Sequence, residues 1–190
     1  MKRLFLLPLL LLSVFTMAAR QPEKGYRGFI EWSNDLRRPN YLHGRENDFY
    51  TGLSTSHGYQ FNENLFFGAG ITFENNLKSN PGNKYIIPIF LQIRTDQKWG
   101  KFTPFGDLRI GYSFASGDMN GMFLNPSIGY RFNWGRKAGL NIGVGWSFRA
   151  ARGNIYKFDY DEGNYSWTFT PIGRKTYTYN YLSFRIGFDF

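Results

Sequence analysis

Two histidines, His43 and His57, are the only ones in the chain, and cysteine is absent. Hydrolysis or acyl transfer through a serine needs a His to take its proton and an acid to orient that His. His57 closes the run "STSH" after Ser54, Thr55 and Ser56, and His43 lies in "YLHGREN" beside Glu46 and Asp48. Neither spacing is specific for such a triad, so both read as ordinary polar residues and no catalytic residue is assigned. No His, Cys, Asp and Glu cluster has metal-ligand spacing, and no Gly-rich loop has the phosphate-cradle pattern. No metal and no cofactor are expected.

A second set of chargeable residues has a pattern. Glu31, Glu74 and Asp107, with Arg94, Arg109, Arg131, Arg149 and Arg185, each sit opposite a row of apolar residues in an alternating segment. Charges taken out of water must pair or stay hydrated. An ion-paired network filling an interior is therefore expected. Because the basic members outnumber the acidic ones, a narrow anion-preferring passage is the alternative chemistry.

A third set is aromatic. In "NIYKFDYDEGNYSWTFTPIGRKTYTYN", Tyr156, Phe158 and Tyr160 alternate, "DEGN" reads as a turn, and Tyr165, Trp167 and Phe169 alternate after it. Two period-2 runs around a turn predict a hairpin. Its aromatics either pair across the strands or form an exposed platform for a protein or glycan.

The elements that carry these residues are strands. Residues 65–74 place Leu65, Phe67, Ala69, Ile71 and Phe73 against Phe66, Gly68, Gly70, Thr72 and Glu74. The same alternation runs through "IIPIFLQIR", "TPFGDLRIGYSF", "LNPSIGYRF", "LNIGVGWSFR" and the terminal "YLSFRIGFDF". Two weaker segments precede them: Ile30 and Trp32 oppose Arg27 and Glu31, and Phe49 and Leu53 oppose Ser54 and Ser56. Eight strands are predicted, each near the 9–11 residues of a tilted membrane strand. Connections at 61–64, 96–101 and 133–137 are short, whereas those at 36–47, 75–83, 115–121 and 151–177 are long.

The bulk of the two faces decides which one points inward. An eight-stranded barrel has an interior barely wide enough for side chains, and the apolar rows would overfill it. The Gly-, Ser- and Asn-rich rows fit. The apolar face therefore meets lipid, and closure removes every unpaired edge.

Composition agrees. Aromatics make up 20% of the chain, with 22 glycines, and no apolar run after residue 20 is long enough for a membrane helix. Lys2 and Arg3 precede the apolar run "LFLLPLLLLSVFTM" and then Ala18 and Ala19. This is the layout of a secretory signal peptide over 1–19, cleaved after Ala18 or Ala19, with the barrel over 20–190. The remaining basic excess favours anionic lipid or polysaccharide over nucleic acid as a partner. Arg37, Arg38, Lys78, Lys84, Arg174 and Lys175 fall near the long-loop ends of the strands, where lipopolysaccharide phosphates would lie.

The "GYQFNENLFFGAGITF" hairpin, "PFGDLRIGYSF" and "YLSFRIGFDF" resemble the small eight-stranded outer-membrane β-barrel proteins, the group of the OmpX-like and OmpA-type barrel domains. The resemblance implies an all-β, antiparallel up-and-down transmembrane barrel in the outer membrane of a Gram-negative-type cell, with both termini in the periplasm. It implies that the last strand is read by the barrel-assembly machinery through Tyr181, Phe188 and Phe190. On that basis, losing Phe190 is expected to harm assembly far more than Asp189→Asn. The expected role is structural or surface-interacting, with a lipid A-modifying enzyme or a small pore as alternatives.

Overall fold

Alternation makes a strand whenever one face can be buried differently from the other, and here it does so eight times. The computed structural model describes residues 18–19, 24–37, 49–78, 85–97, 102–115, 120–134, 136–161 and 166–190. The strands are β1 (Gly25–Leu36), β2 (Phe49–Gln60), β3 (Leu65–Asn76), β4 (Tyr85–Asp96), β5 (Phe102–Ala115), β6 (Gly121–Trp134), β7 (Arg136–Asp161) and β8 (Ser166–Asp189). Each pairs antiparallel with its neighbour in sequence. The wall closes where β8 returns to β1, from Phe29 opposite Asp189 to Leu36 opposite Leu182. A two-residue bridge, Ala18–Ala19, pairs parallel with β7 at Arg136 and Lys137. Most of the expected signal peptide, residues 1–17, lies outside the described residues.

The barrel is inside out relative to a soluble globule. Its largest fully buried side chains include Arg27, Arg94, Arg131 and Arg149, while rows such as Leu65, Phe67, Ile71 and Phe73 are exposed. Soluble monomers rarely expose contiguous apolar area on this scale; a lipid bilayer covers it. Glycine on the inner face makes room for rings: a Cβ on Gly129 would stand 2.6 Å from the Phe105 ring.

Two strands break the pattern of size. The first six contain 12 to 14 residues each, whereas β7 has 26 and β8 has 24. The expected long connection at 151–177 is therefore mostly ladder rather than loop.

Candidate functional site

Parity along each strand sends a set of charged side chains into the lumen, where they form three layers. At the short-turn end, Arg27 Nε donates to Asp189 Oδ2 at 3.1 Å, and its Nη1 donates to Gln60 Oε1 at 2.9 Å and to Asp96. Arg94 donates to Asp96 at 2.8 Å and to Asn141 at 2.6 Å. Arg131 Nε reaches both carboxylate oxygens of Asp189, at 2.8 and 3.0 Å. Asn141 Nδ2 donates to the same carboxylate at 2.7 Å.

The middle layer joins Arg109 and Arg185 to Glu31 and Asp107. Arg109 binds Glu31, and also Asp107 at 3.3 Å. Arg185 binds Asp107 at 3.3 Å and lies 3.9 Å from Glu31. Toward the long-loop end, Arg149 Nη2 alone serves two acids, Asp35 at 2.6 Å and Glu74 at 2.5 Å.

Rings separate and floor these layers. The Arg94 guanidinium lies 3.6 Å from the Phe105 centroid, Arg109 lies 4.9 Å from Phe90, and Arg149 lies 4.9 Å from Tyr181. Arginine suits this setting because its planar, weakly hydrated cation stacks and forks at once.

All eight residues of the expected charge network are buried in the lumen, but the network is larger than the sequence reading made it. Arg27, Asp35, Asp96 and Asp189 join it, giving six arginines (Arg27, Arg94, Arg109, Arg131, Arg149, Arg185) and six carboxylates (Glu31, Asp35, Glu74, Asp96, Asp107, Asp189) among the described buried residues. Among the described buried residues the expected basic excess is thus corrected to balance. By layer, the counts shift from three arginines and two acids at the turn end, through two and two, to one and two at the loop end. Arg27 and Asp189 already stood on the polar rows of their segments without being counted in the network. The same parity reaches Asp35 after Glu31 and Asp96 after Arg94, but Asp96 was read as turn.

His57 and its serines part company. Ser54 and Ser56 are buried in the lumen, whereas His57 is exposed on the outer face. Residues one and three places apart in a strand cannot meet across the wall. The His57 ring instead holds Tyr26 OH at Nδ1, 2.6 Å away, and Thr55 Oγ1 at Nε2, 2.9 Å away. His43 lies outside the described residues. Among the described residues, no three His, Cys, Asp or Glu side chains converge as a metal site.

The terminal aromatic has a seat. Phe190 N–H donates to Gly28 O at 3.0 Å, and Gly28 N–H donates to Phe190 O at 2.9 Å. Its ring occupies the space over Gly28, where a Cβ would come within 2.8 Å, and meets His57 edge-on at 6.5 Å. The three residues of the expected terminal signal divide between faces: Phe188 and Phe190 are on the exterior and Tyr181 is buried inside.

Beyond the rim, β7 and β8 continue without a third strand among the described residues. The last pairing of β7 with β6 is Ala151 opposite Gly121, and the last of β8 with β1 is Leu182 opposite Leu36. The two strands remain paired to Asp161 opposite Ser166. The expected platform residues are described here by backbone register: Tyr156 faces Pro171, Phe158 faces Phe169 and Tyr160 faces Trp167. Tyr165 and the "DEGN" turn from residue 162 onward lie outside the described residues. Of the expected surface cations, Lys78, Arg174 and Lys175 are exposed, and Arg37 lies 4.9 Å from the Tyr179 ring centroid. Arg38 and Lys84 lie outside the described residues.

This architecture has counterparts. Residues 4–189 match the family model of the outer membrane protein beta-barrel domain. The crystal structure of Neisserial surface protein A (NspA) superposes with a TM-score of 0.55 at 13% identity, over 87% of this chain and 94% of that one. The outer membrane protein OprG from Pseudomonas aeruginosa gives a TM-score of 0.51 at 13% identity, over 90% and 97%. At that identity these likenesses concern the fold alone. No curated protein matches the chain.

Proposed function

From the premise that this chain belongs to the outer membrane protein beta-barrel domain family, we propose that it is a structural and surface-interaction protein whose contact element is the β7–β8 hairpin. The observation that carries this reading is the ladder running on from Arg152 opposite Thr176 to Asp161 opposite Ser166, with no third strand beside it among the described residues. A two-stranded ribbon is marginal in water on its own, but one that continues a barrel wall inherits its register and anchorage. Lipid has no use for such an extension, so its cost is retained for something outside.

The remaining parts of the reading follow the same geometry. The signal peptide delivers the chain to the periplasm, both termini stay there, and the assembly machinery reads the exterior Phe188 and Phe190 of the last strand. The paired lumen closes the barrel rather than conducting. No catalysis is assigned, since His57 and the lumen serines stand on opposite faces.

The test is affinity capture from native outer membrane with the full chain and with a variant in which residues 156–169 are replaced by a short Gly-containing turn. The variant is expected to assemble and to shift on heating in gels, yet to capture nothing beyond background. Full capture by the variant would move the function to the 36–47 connection or the lumen. Failed assembly would make the hairpin a structural element.

A further inference from the structure

The arginines at the turn end of the lumen are not all matched. Arg131 forks onto Asp189, with Nε 2.8 Å from Oδ1 and Nη2 2.8 Å from Oδ2. Arg94 Nε donates to Asp96 Oδ1 at 2.8 Å. Each of these two acids therefore already holds one cation. Arg27 bridges the two pairs, through Nε to Asp189 Oδ2 and through Nη1 to Asp96 Oδ2. It is the third cation of a layer that has two carboxylates among the described residues.

Hydrogen bonding marks the same place. Arg27 Nη2 and Arg94 Nη1 have no hydrogen-bond partner among the described residues, although the two side chains are only 1% and 0% exposed. Both guanidiniums lie against one ring, 4.7 and 5.0 Å from the Phe29 centroid. A ring face attracts a cation but is at most a weak hydrogen-bond acceptor. Ser56, directly opposite Phe29 in register, is fully buried, and its hydroxyl likewise has no partner among the described residues. The layer of opposite surplus cannot supply what is missing. Its Asp35 is eight residues up β1 from Arg27, on the order of 26 Å along the strand.

We propose that Arg27 and Arg94 hold a small inorganic anion, of the charge and size of chloride, at the turn end of the lumen. Such an ion supplies both things the layer lacks, a negative charge and an acceptor with no directional preference. Water accepts hydrogen bonds but leaves the surplus charge buried, which is costly. The packing favours a small ion over an organic acid. Phe29 and Phe66 meet edge to face at 5.1 Å, and the Phe66 ring fills the space over Gly58 and Gly68. The ion is a resident part of the paired plug rather than cargo in transit. This site goes beyond the surface-interaction reading and stands independently of it.

The test uses the full chain assembled in zwitterionic phospholipid vesicles and unfolded with urea. Sodium chloride or bromide is titrated against sodium isethionate at constant ionic strength. With chloride at about ten times its Kd, the folded-to-unfolded ratio should be about elevenfold higher than in isethionate. The response should saturate, and bromide should reproduce it. A crystal soaked in bromide should show an anomalous peak within hydrogen-bond distance of Arg27 Nη2 or Arg94 Nη1. Arg27→Met removes the surplus cation and leaves the Arg94–Asp96 and Arg131–Asp189 pairs, so the halide response should vanish. Arg149→Met, in the loop-end layer, should lose stability yet keep that response.

No halide dependence in the wild type would overturn the inference and leave water on these donors. A response that rises without saturating would reduce it to a general salt effect and overturn it as well. So would bromide found only elsewhere, or a full response in assembled Arg27→Met. Should Arg27→Met fail to assemble, the wild-type titration and the bromide map still decide.

Discussion

The lumen and the outer hairpin are built from the same alternating strands, yet they use alternation for opposite ends. In the lumen every strand has two neighbours, and the inward side chains converge on one narrow axis, so charges bind one another across the barrel: Arg109 of β5 bonds Glu31 of β1, and Arg149 of β7 bonds both Asp35 of β1 and Glu74 of β3. In the hairpin each strand has one neighbouring strand among the described residues. The inward contacts tie non-adjacent strands together across the lumen; the hairpin's ladder ties only its own two strands. The difference teaches that closure, rather than sequence pattern, turns an alternating strand into a core.

That contrast can be broken most forcefully at Arg149. Arg149→Ala leaves Asp35 and Glu74 buried without their shared cation, and the barrel should lose about 3–5 kcal/mol. The measurement is the urea midpoint of the heat-modifiable band in lipid vesicles. Adding Asp35→Asn and Glu74→Gln to an Arg149→Met variant should recover much of the loss; no recovery would show that packing rather than charge was at stake.

Next comes Asp189→Asn. The sequence reading treated this change as mild, but the carboxylate takes hydrogen bonds from Arg27, Arg131 and Asn141 at the closing seam. A loss of about 2 kcal/mol is expected from its charged hydrogen bonds, by the same urea assay. A loss comparable to removing Phe190 would place stability and assembly in one residue pair at the seam.

Gly28→Ala should cost about 1 kcal/mol, because the new methyl group displaces the Phe190 ring. Truncating Phe190 to Ala in the same chain should relieve part of that cost. Strictly additive effects in this double-mutant cycle would mean that the ring does not sit over Gly28.

The smallest effect on stability is expected from the hairpin itself. Replacing residues 156–169 by a short turn should change stability by less than about 0.5 kcal/mol, since the segment begins beyond the last β7–β6 and β8–β1 pairings. A larger loss would erase the contrast between the two regions.

How legible the molecule was follows the same division. Eight alternating segments were enough to name the strands, their order and the face that meets lipid, because the two faces of a membrane strand must differ in composition along its whole length. Eight of the twelve buried charges could be picked by parity. Asp96 was passed over because it stands at a strand end, where pattern gives way to turn, whereas Arg27 and Asp189 stood on polar rows with nothing in the pattern to show that they had partners. Which charge meets which was not legible at all: Arg27 and Asp96, or Arg109 and Glu31, are brought together only when the sheet closes and its shear fixes their heights.

The sequence by itself determined the barrel, its inside-out polarity and the outward hairpin, since these depend on the local alternation of size and polarity. Only the tertiary structure decided the balance of the described lumen charges, the seat of Phe190 over Gly28, and the irregularity at Ile172 in the β7–β8 ladder. Those depend on register between strands, and a shift of one residue reverses every side. The energy that selects the register comes from partners far apart in the chain.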